Sequence, residues 1–294
     1  MSWLSWLRPS PKHDRQPATS AAPGPDSQAS DSAVVVPQFL PWLFNTAPLT
    51  EASLFPVEQR ALAEIQKTLA LPTIPDNLLP RASALVPQLI ALLRQTSLPL
   101  PAIAERVTKD ARLSAEVMRL ANTPYYRTQG DVANLQQAIT LIGSGGLQRV
   151  IARVVLKPIF QGDMGMQVAG AVERMWEHSE LLAQHTAALA ESAGQLAFDA
   201  YLGGLLHDTG WKVAFCALER AGITLDFPAS SHFAHALTEQ AHRLFGQVTH
   251  GWGITPGFTA FAADARDNGL TDSTHPMAGV LRTAQSNCMN EIAA

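Results

Sequence analysis

The chain of 294 residues has little charge, few cysteines and no long apolar run. Asp, Glu, Lys and Arg make up 16% of it, below the usual quarter, and the formal net charge is −4. This balance, without any run of Lys and Arg, excludes the basic surface that follows a nucleic-acid backbone. The two cysteines, Cys216 and Cys288, form neither a disulfide framework nor a CxxC metal motif. The sequence therefore predicts a reduced protein of the cytoplasm.

Nothing in the sequence has the pattern of a membrane-spanning helix or a signal peptide. The apolar run at residues 34–44 is interrupted by two prolines and falls short of the ~20 residues that a spanning helix needs. Residues 1–7 lack a basic stretch ahead of their short apolar core. Trp3 and Trp6 leave two interpretations open: a weak contact with a membrane surface or a partner groove, or an end of the chain without structure.

Leu, Ile, Met and aromatic residues are absent from residues 8–38, where Pro, Ser and Ala dominate. Such a segment cannot bury enough surface to offset the entropy cost of ordering the chain. We therefore predict a disordered tether over residues 1–45, with the two tryptophans near its start.

Beyond the tether, apolar residues recur with the helical period of 3.6, and no alternating run is long enough for a strand. The sequence predicts an all-α, two-lobed fold, with one helical lobe at residues 46–165 and a second at residues 166–294. Asp110 and Asn134 are predicted helix N-caps, and Gly143 is a predicted helix end. In the second lobe, one helix is predicted to end at Phe245 and Gly246.

His207 and Asp208 stand together at the end of an apolar helix. An ionised carboxylate is almost never buried without a partner, because removing it from water is costly. Neighbouring residues of a regular helix project about 100° apart, so the two side chains converge only where the helix ends, and Gly210 offers that end. The compensating partner is a metal ion, a basic side chain or a set of helix-end amides.

Six segments resemble the HDOD domain, the HD-related output domain of bacterial signalling proteins, in its order and over about residues 67–265. They are Leu71-Pro-Thr-Ile-Pro75, Val107-Thr-Lys-Asp-Ala-Arg-Leu113, Arg119-Leu-Ala-Asn-Thr-Pro-Tyr-Tyr126, Ala138-Ile-Thr-Leu-Ile-Gly143, Trp176-Glu-His-Ser179 and Gly203-Gly-Leu-Leu-His-Asp-Thr-Gly210. The resemblance implies a helical bundle beside a lobe similar to HD-superfamily phosphohydrolases. It also implies regulation in cyclic-di-GMP, chemotaxis or motility circuits, often without demonstrated catalysis.

The resemblance implies a metal site of His178, His207 and Asp208, because HD phosphohydrolases hold their ion with one His, an adjacent His-Asp and a distant Asp. The ion, Mn, Fe, Zn or Mg, would turn a bound water into a nucleophile. At the position of the distant Asp this chain has Gln285, a neutral amide. Asp264, Asp267 and Asp272 are possible substitutes without a supporting motif, and Lys212 lies one residue away from the lysine of active relatives.

Three interpretations of the His-Asp pair remain open: a structural pair that holds two helices in register, a vestigial or regulatory metal site, and an active hydrolase. Departures from the family pattern also remove the closing histidine pair, since Ala263-Asp264 stands in its place. We predict that His232, His235 and His242 are surface residues, because no Cys or carboxylate cluster accompanies them.

From the sequence we expect a non-catalytic signalling or output module, with no catalytic residues and no obligatory cofactor, that docks a protein partner. The alternatives are a metal-dependent phosphohydrolase of nucleotides or cyclic dinucleotides, and a sensor that binds a nucleotide without turnover. The metal content of the wild type and of His207→Ala separates these hypotheses.

Overall fold

The computed structural model describes residues 38–79, 81–95, 100–122, 132–161 and 169–293. Within these ranges the chain is all-α, as predicted, and the only bridge between extended segments joins Thr50 and Ser230. Most of the predicted tether, residues 1–37 with Trp3 and Trp6, lies outside the described residues. The α-helices are α1 (38–44), α2 (Pro56–Leu69), α3 (Ala82–Gln95), α4 (Leu100–Thr108), α5 (Ala111–Ala121), α6 (Leu135–Phe160), α7 (Ala169–Leu189), α8 (Ala197–His207), α9 (Thr209–Arg220), α10 (Ser231–Thr249), α11 (Pro256–Asn268) and α12 (Pro276–Ala293).

Helix boundaries follow the local signals at most positions. The Asp110 carboxylate accepts from two backbone N–H groups in the first turn of α5, at 2.9 and 3.1 Å. Asn134 accepts from the Gln137 N–H at 2.8 Å at the start of α6. Gly143 has φ 66° and kinks α6, so the predicted break between two apolar helical runs is confirmed.

The predicted end of a helix at Phe245 and Gly246 is wrong, since α10 continues to Thr249. Gly246 lies inside α10 because α11 passes close to it. A Cβ at this position would lie 2.2 Å from the Arg266 backbone nitrogen. The glycine thus permits close helix packing, and a local pattern cannot distinguish that use from helix termination.

The chain divides into two compact units, each described here by itself. The smaller unit takes its described residues from 91–154 and pairs α4 with α5. In it Glu116 binds two arginines, with Arg119 Nη2 at 2.6 Å and Arg153 in contact. Burial raises the pKa of Glu116, but the two guanidinium groups outweigh burial and hold it below the ordinary value.

The larger unit comprises residues 38–90 and 155–293 among those described. Its centre is the antiparallel pair α7 and α8, and α12 packs on both of them. α10 packs between α9 and α11, and α2 covers α9 and α10. Glu58 joins α2 to the start of α10, because its carboxylate accepts from the Ser230 N–H and Oγ at 2.8 and 2.7 Å. Residues 38–44, the last part of the predicted tether, form α1 in this unit because Phe39, Leu40 and Leu43 are buried.

One described helix, α6, is long and apolar enough to cross a membrane by length and composition alone. Half of its apolar window is buried in the fold, and the helix is kinked at Gly143. Core helices of folded domains pass the same test.

Candidate metal centre

The structure brings together the three residues predicted as metal ligands. His178 lies on α7, His207 is the last residue of α8, and Asp208 separates α8 from α9. One ligand atom from each lies within 4.8 Å of the others, and all three side chains are buried. We call these three residues the His-His-Asp cluster.

The convergence of His207 and Asp208 depends on the junction between α8 and α9. Asp208 has φ −77° and ψ 0°, away from regular helical values, and so turns its carboxylate onto the neighbouring imidazole. Gly210 does not end the helix, contrary to the prediction; it lies inside α9, where a Cβ would meet the Ala241 carbonyl oxygen at 1.9 Å. The glycine at the pair therefore serves the packing of α9 against α10.

Both oxygens of the Asp208 carboxylate accept hydrogen bonds from the protein itself. His178 Nδ1 lies 2.6 Å from Oδ2, and His207 Nδ1 lies 2.7 Å from Oδ1. Ser179 Oγ donates to Oδ2 at 3.0 Å. The carboxylate is completely buried, and two imidazoles and a hydroxyl compensate its burial. Of the three kinds of partner considered from the sequence, the described residues thus provide basic side chains.

The charges of the cluster are strongly coupled. Burial alone would lower the pKa of His178, but the Asp208 carboxylate outweighs it and raises that pKa to about 10. Burial would likewise raise the pKa of Asp208, but the two histidines hold it far below its usual range. At neutral pH His178 and Asp208 therefore form a buried ion pair.

Gln285 of α12, predicted at the position of the distant Asp, contacts His207. Its Nε2 lies 3.0 Å from His207 Nε2. Since His207 Nδ1 faces Asp208, the Gln285 amide meets the outer nitrogen of the same ring. The structure thus brings Gln285 next to the predicted ligand His207.

The three alternative carboxylates stay away from the cluster. Asp264 accepts from Ser273 and from Asn268. Asp267 pairs with Arg266 at 2.7 Å, and Asp272 is exposed. None of them substitutes for the fourth ligand.

His242 is the residue that sequence reasoning missed. We predicted a surface position, which is confirmed for His232 and His235 but wrong for His242, because its side of α10 faces the core. Its ring lies 5.2 Å from that of His207, and neither ring nitrogen has a hydrogen-bond partner among the described residues. Burial, and then the nearby His207, hold its pKa well below the ordinary value. His242 precedes the apolar Phe245 by three residues, and this helical spacing was the signal that could have indicated a buried position.

The ammonium of Lys212 binds a backbone carbonyl. Its side chain is buried, and Nζ donates to the Phe160 carbonyl oxygen at 3.1 Å. Burial lowers its pKa. The one-residue shift from the lysine of active relatives thus places this amine on a backbone carbonyl.

α1 packs over the His178 side of the cluster. The Phe39 ring lies 4.8 Å from the His178 ring and 5.1 Å from the Trp211 ring. The Trp42 ring is 6.0 Å from His178. With this cover, His178 and His207 are each 2% exposed and Asp208 is 0% exposed.

The family model of the HDOD domain matches residues 79–252, more than half of the chain. A protein of Shewanella amazonensis SB2B, provisionally named a metal-dependent phosphohydrolase, has a similar structure with a TM-score of 0.57 at 18% identity; the match covers 82% of this chain and 86% of that one. A second protein of that organism, provisionally named a phosphohydrolase, matches with a TM-score of 0.51 at 19% identity, over 80% and 82% of the two chains. The comparison with curated proteins gives no match. At these identities the structural likeness shows the fold alone.

Proposed function

This chain belongs to the HDOD domain family, and we propose that it is a non-catalytic signalling module that docks a protein partner. The observation that carries the proposal is the state of Asp208. Its two oxygens are engaged by His178, His207 and Ser179, at 2.6 to 3.0 Å. A carboxylate in that state supports the fold of α7, α8 and α9, whether or not an ion is present.

The residues of the cluster do not fit a catalytic divalent ion. Such an ion needs an open coordination position and a water within reach of substrate, but no cluster side chain is more than 2% exposed. The ring nitrogens that face into the cluster, His178 Nδ1 and His207 Nδ1, both lie within hydrogen-bond distance of the Asp208 carboxylate. Gln285 supplies a neutral amide where a second carboxylate would balance the charge of the ion.

A docking role requires only the folded surface and none of this chemistry. The family resemblance implies a partner from a second-messenger, chemotaxis or motility circuit. The cluster then acts as a polar core that fixes α7, α8 and α12 in one arrangement, and the surface of that arrangement is what a partner recognises.

One observation favours the second candidate, a metal-dependent phosphohydrolase of nucleotides or cyclic dinucleotides. His242 brings another imidazole beside His207, and its two ring nitrogens are buried without a partner. A buried ring nitrogen without a hydrogen-bond partner lowers the stability of the fold unless a bound group supplies that partner.

Elemental analysis of the purified protein separates the two candidates. We expect no stoichiometric Mn, Fe, Zn or Mg in the wild type and no loss of folding on dialysis against a chelator. His207→Asn is the matched variant, because asparagine retains a donor for Asp208 but lacks the outer ring nitrogen. Near-stoichiometric metal in the wild type that disappears in this variant would overturn the proposal and favour the hydrolase.

A further inference from the structure

α1 occupies a groove of the larger unit formed by α7, α9 and the segment before α10. We call it the cover groove and define it by Arg174, His178, Trp211, Phe215 and Phe227. α1 contacts all five residues. The Phe39 ring lies 4.8 Å from the His178 ring and 5.1 Å from the Trp211 ring. The Phe44 ring lies 5.2 Å from the Phe215 ring and 4.6 Å from the Phe227 ring. Arg174 Nε donates to the Leu43 carbonyl oxygen at 2.6 Å.

The side chains that fill the groove follow a short pattern: an aromatic residue, Leu, any residue, Trp and Leu. In α1 these are Phe39, Leu40, Trp42 and Leu43. Phe39, Leu40 and Leu43 are at most 6% exposed, while Trp42 is half-buried at the edge, 6.0 Å from the His178 ring. The pattern thus places three anchors in the groove and one aromatic ring along its rim.

The same pattern occurs a second time in the sequence, at residues 3–7. Trp3-Leu4-Ser5-Trp6-Leu7 aligns without a gap on Phe39-Leu40-Pro41-Trp42-Leu43, with Leu, Trp and Leu identical. Three of the six tryptophans of the chain lie in these two segments. The intervening residues, 8–38, contain no other aromatic residue and no Leu, Ile or Met.

We propose that residues 3–7 are a second ligand of the cover groove, which exchange with residues 39–43 of the same chain. Trp3 then replaces Phe39 against His178 and Trp211, and Leu4 and Leu7 replace the two buried leucines. The inference rests on the proposed function, because it takes the groove to be a docking surface and not an entrance to a reactive centre.

The length of the connecting segment favours the same chain over a second copy. For the disordered tether that the sequence predicts, the 31 residues between the two patterns (8–38) correspond to an end-to-end distance of about 30 Å. Tethered ligands at such distances have effective concentrations near the millimolar range. A second copy of the chain would have to reach that concentration to compete equally.

One difference between the segments sets the direction of the exchange. Phe44 extends α1 onto Phe215 and Phe227, whereas Arg8 stands at the equivalent position of the first segment. Residues 39–44 therefore bind better and occupy the groove by default. When a partner removes α1, residues 3–7 take its place, and the His-His-Asp cluster stays covered while α1 is presented to the partner.

The test is a self-competition experiment on the full chain with a fluorescent peptide of residues 1–10. Phe39→Ala/Trp42→Ala empties the groove of α1, and a quadruple variant also carries Trp3→Ala/Trp6→Ala. We expect tight peptide binding to the quadruple variant, at least about tenfold weaker binding to the double variant, and none to the wild type. A peptide with both tryptophans changed to Ala is the ligand control, and Arg174→Ala in the quadruple background tests the groove.

The order of the three affinities decides the inference. Equal binding to the double and quadruple variants, or no binding to the quadruple variant while it retains its helical circular dichroism, would overturn it. A double variant that dimerises, and becomes monomeric with Trp3→Ala/Trp6→Ala, would show exchange between copies and overturn the same-chain form. If the Phe39 change prevents folding, Trp42→Ala alone gives the same order with smaller differences, because this ring lies at the rim.

The outcomes remain distinct from those of the proposed function. Stoichiometric metal in the wild type would contradict the docking module without changing the peptide affinities. Absence of peptide binding would contradict the exchange without bringing a metal to the cluster.

Discussion

Replacement of Asp208 by Asn tests whether the His-His-Asp cluster is a structural ion pair. The amide has nearly the shape of the carboxylate but carries no charge. Its nitrogen would face one of the two Nδ1 atoms that now lie 2.6 and 2.7 Å from the carboxylate oxygens. The protonated His178 would therefore remain buried, 2% exposed, without its counter-charge.

The expected loss of unfolding free energy is large. Breaking a buried ion pair by removing one partner costs about 3–5 kcal/mol, because the other charge stays desolvated. For a domain of this size each kcal/mol lowers Tm by roughly 2–4 °C, so we expect Asp208→Asn to melt about 6–20 °C below the wild type. In the variant His178 can instead lose its proton, which reduces the loss of unfolding free energy. The lower end of the expected range corresponds to this case.

The same pair predicts how stability depends on pH. The folded pKa of Asp208 lies below its unfolded value of 3.8, so its contribution is present above about pH 4 and is lost in acid. The folded pKa of His178 is raised from 6.5 to about 10, so its contribution is complete below 6.5 and is lost as pH rises through 10. The wild type should lose this stability on both sides, and Asp208→Asn should show neither loss.

Urea denaturation with a chelator present, at several pH values, measures these differences. Asp267→Asn is the matched control, because Asp267 is an exposed partner of Arg266 and exposed pairs contribute about 0–1 kcal/mol. A loss below about 1 kcal/mol for Asp208→Asn would refute the structural ion pair. Destabilisation of the wild type by the chelator alone would point to a bound metal in its place.

Three further substitutions test other parts of the larger unit by the same denaturation measurement. Glu58→Gln should cost about 1–3 kcal/mol, because the buried carboxylate accepts three hydrogen bonds at 2.7–2.8 Å. Its control is Glu64→Gln, which should change stability by only about 0–1 kcal/mol, because the half-buried Glu64 pairs with the exposed Lys67. Gly210→Ala should cost about 3 kcal/mol, because its Cβ would lie 1.9 Å from a backbone oxygen of α10, and Gly251→Ala, with nothing within 4 Å, is its control. His242→Phe should raise stability by about 1 kcal/mol, because it removes two buried nitrogens without hydrogen-bond partners among the described residues. The gain should be larger below pH 6.5, because the lowered pKa of His242 in the folded state makes the wild type lose stability there. A decrease in stability would mean that His242 serves a bound ligand.

Helix content and helix starts could be predicted from the sequence because their causes are local. Asp110 and Asn134 satisfy N–H groups two or three residues away, and Gly143 needs only its own backbone freedom to break α6. The requirement that Asp208 find a partner was also local, since any buried carboxylate must be compensated. The identity of that partner came from the family resemblance and not from the helical pattern.

The errors concern contacts between segments that are distant in sequence. Gly246 was interpreted as a helix end, but the approach of α11 is what requires a residue without a side chain there. His242 was placed on the surface because no Cys or carboxylate cluster accompanies it, although its spacing of three to Phe245 indicates the buried side of α10. The cover by α1 joins Phe39 to His178, and nothing in either neighbourhood predicts that contact.

A buried cluster of this kind can keep its residues after any catalytic use has gone. Loss of His178 or Asp208 alone leaves a desolvated charge, and loss of His207 leaves an Asp208 oxygen without its closest donor. Gln285 differs, because it meets the cluster through a single hydrogen bond to His207 Nε2 at 3.0 Å, which costs about 1 kcal/mol to exchange. The Gln285 position is therefore the one in the cluster that can change at least cost in stability, and the presence of the His-Asp pair alone is evidence of a stabilising buried contact and not of catalysis.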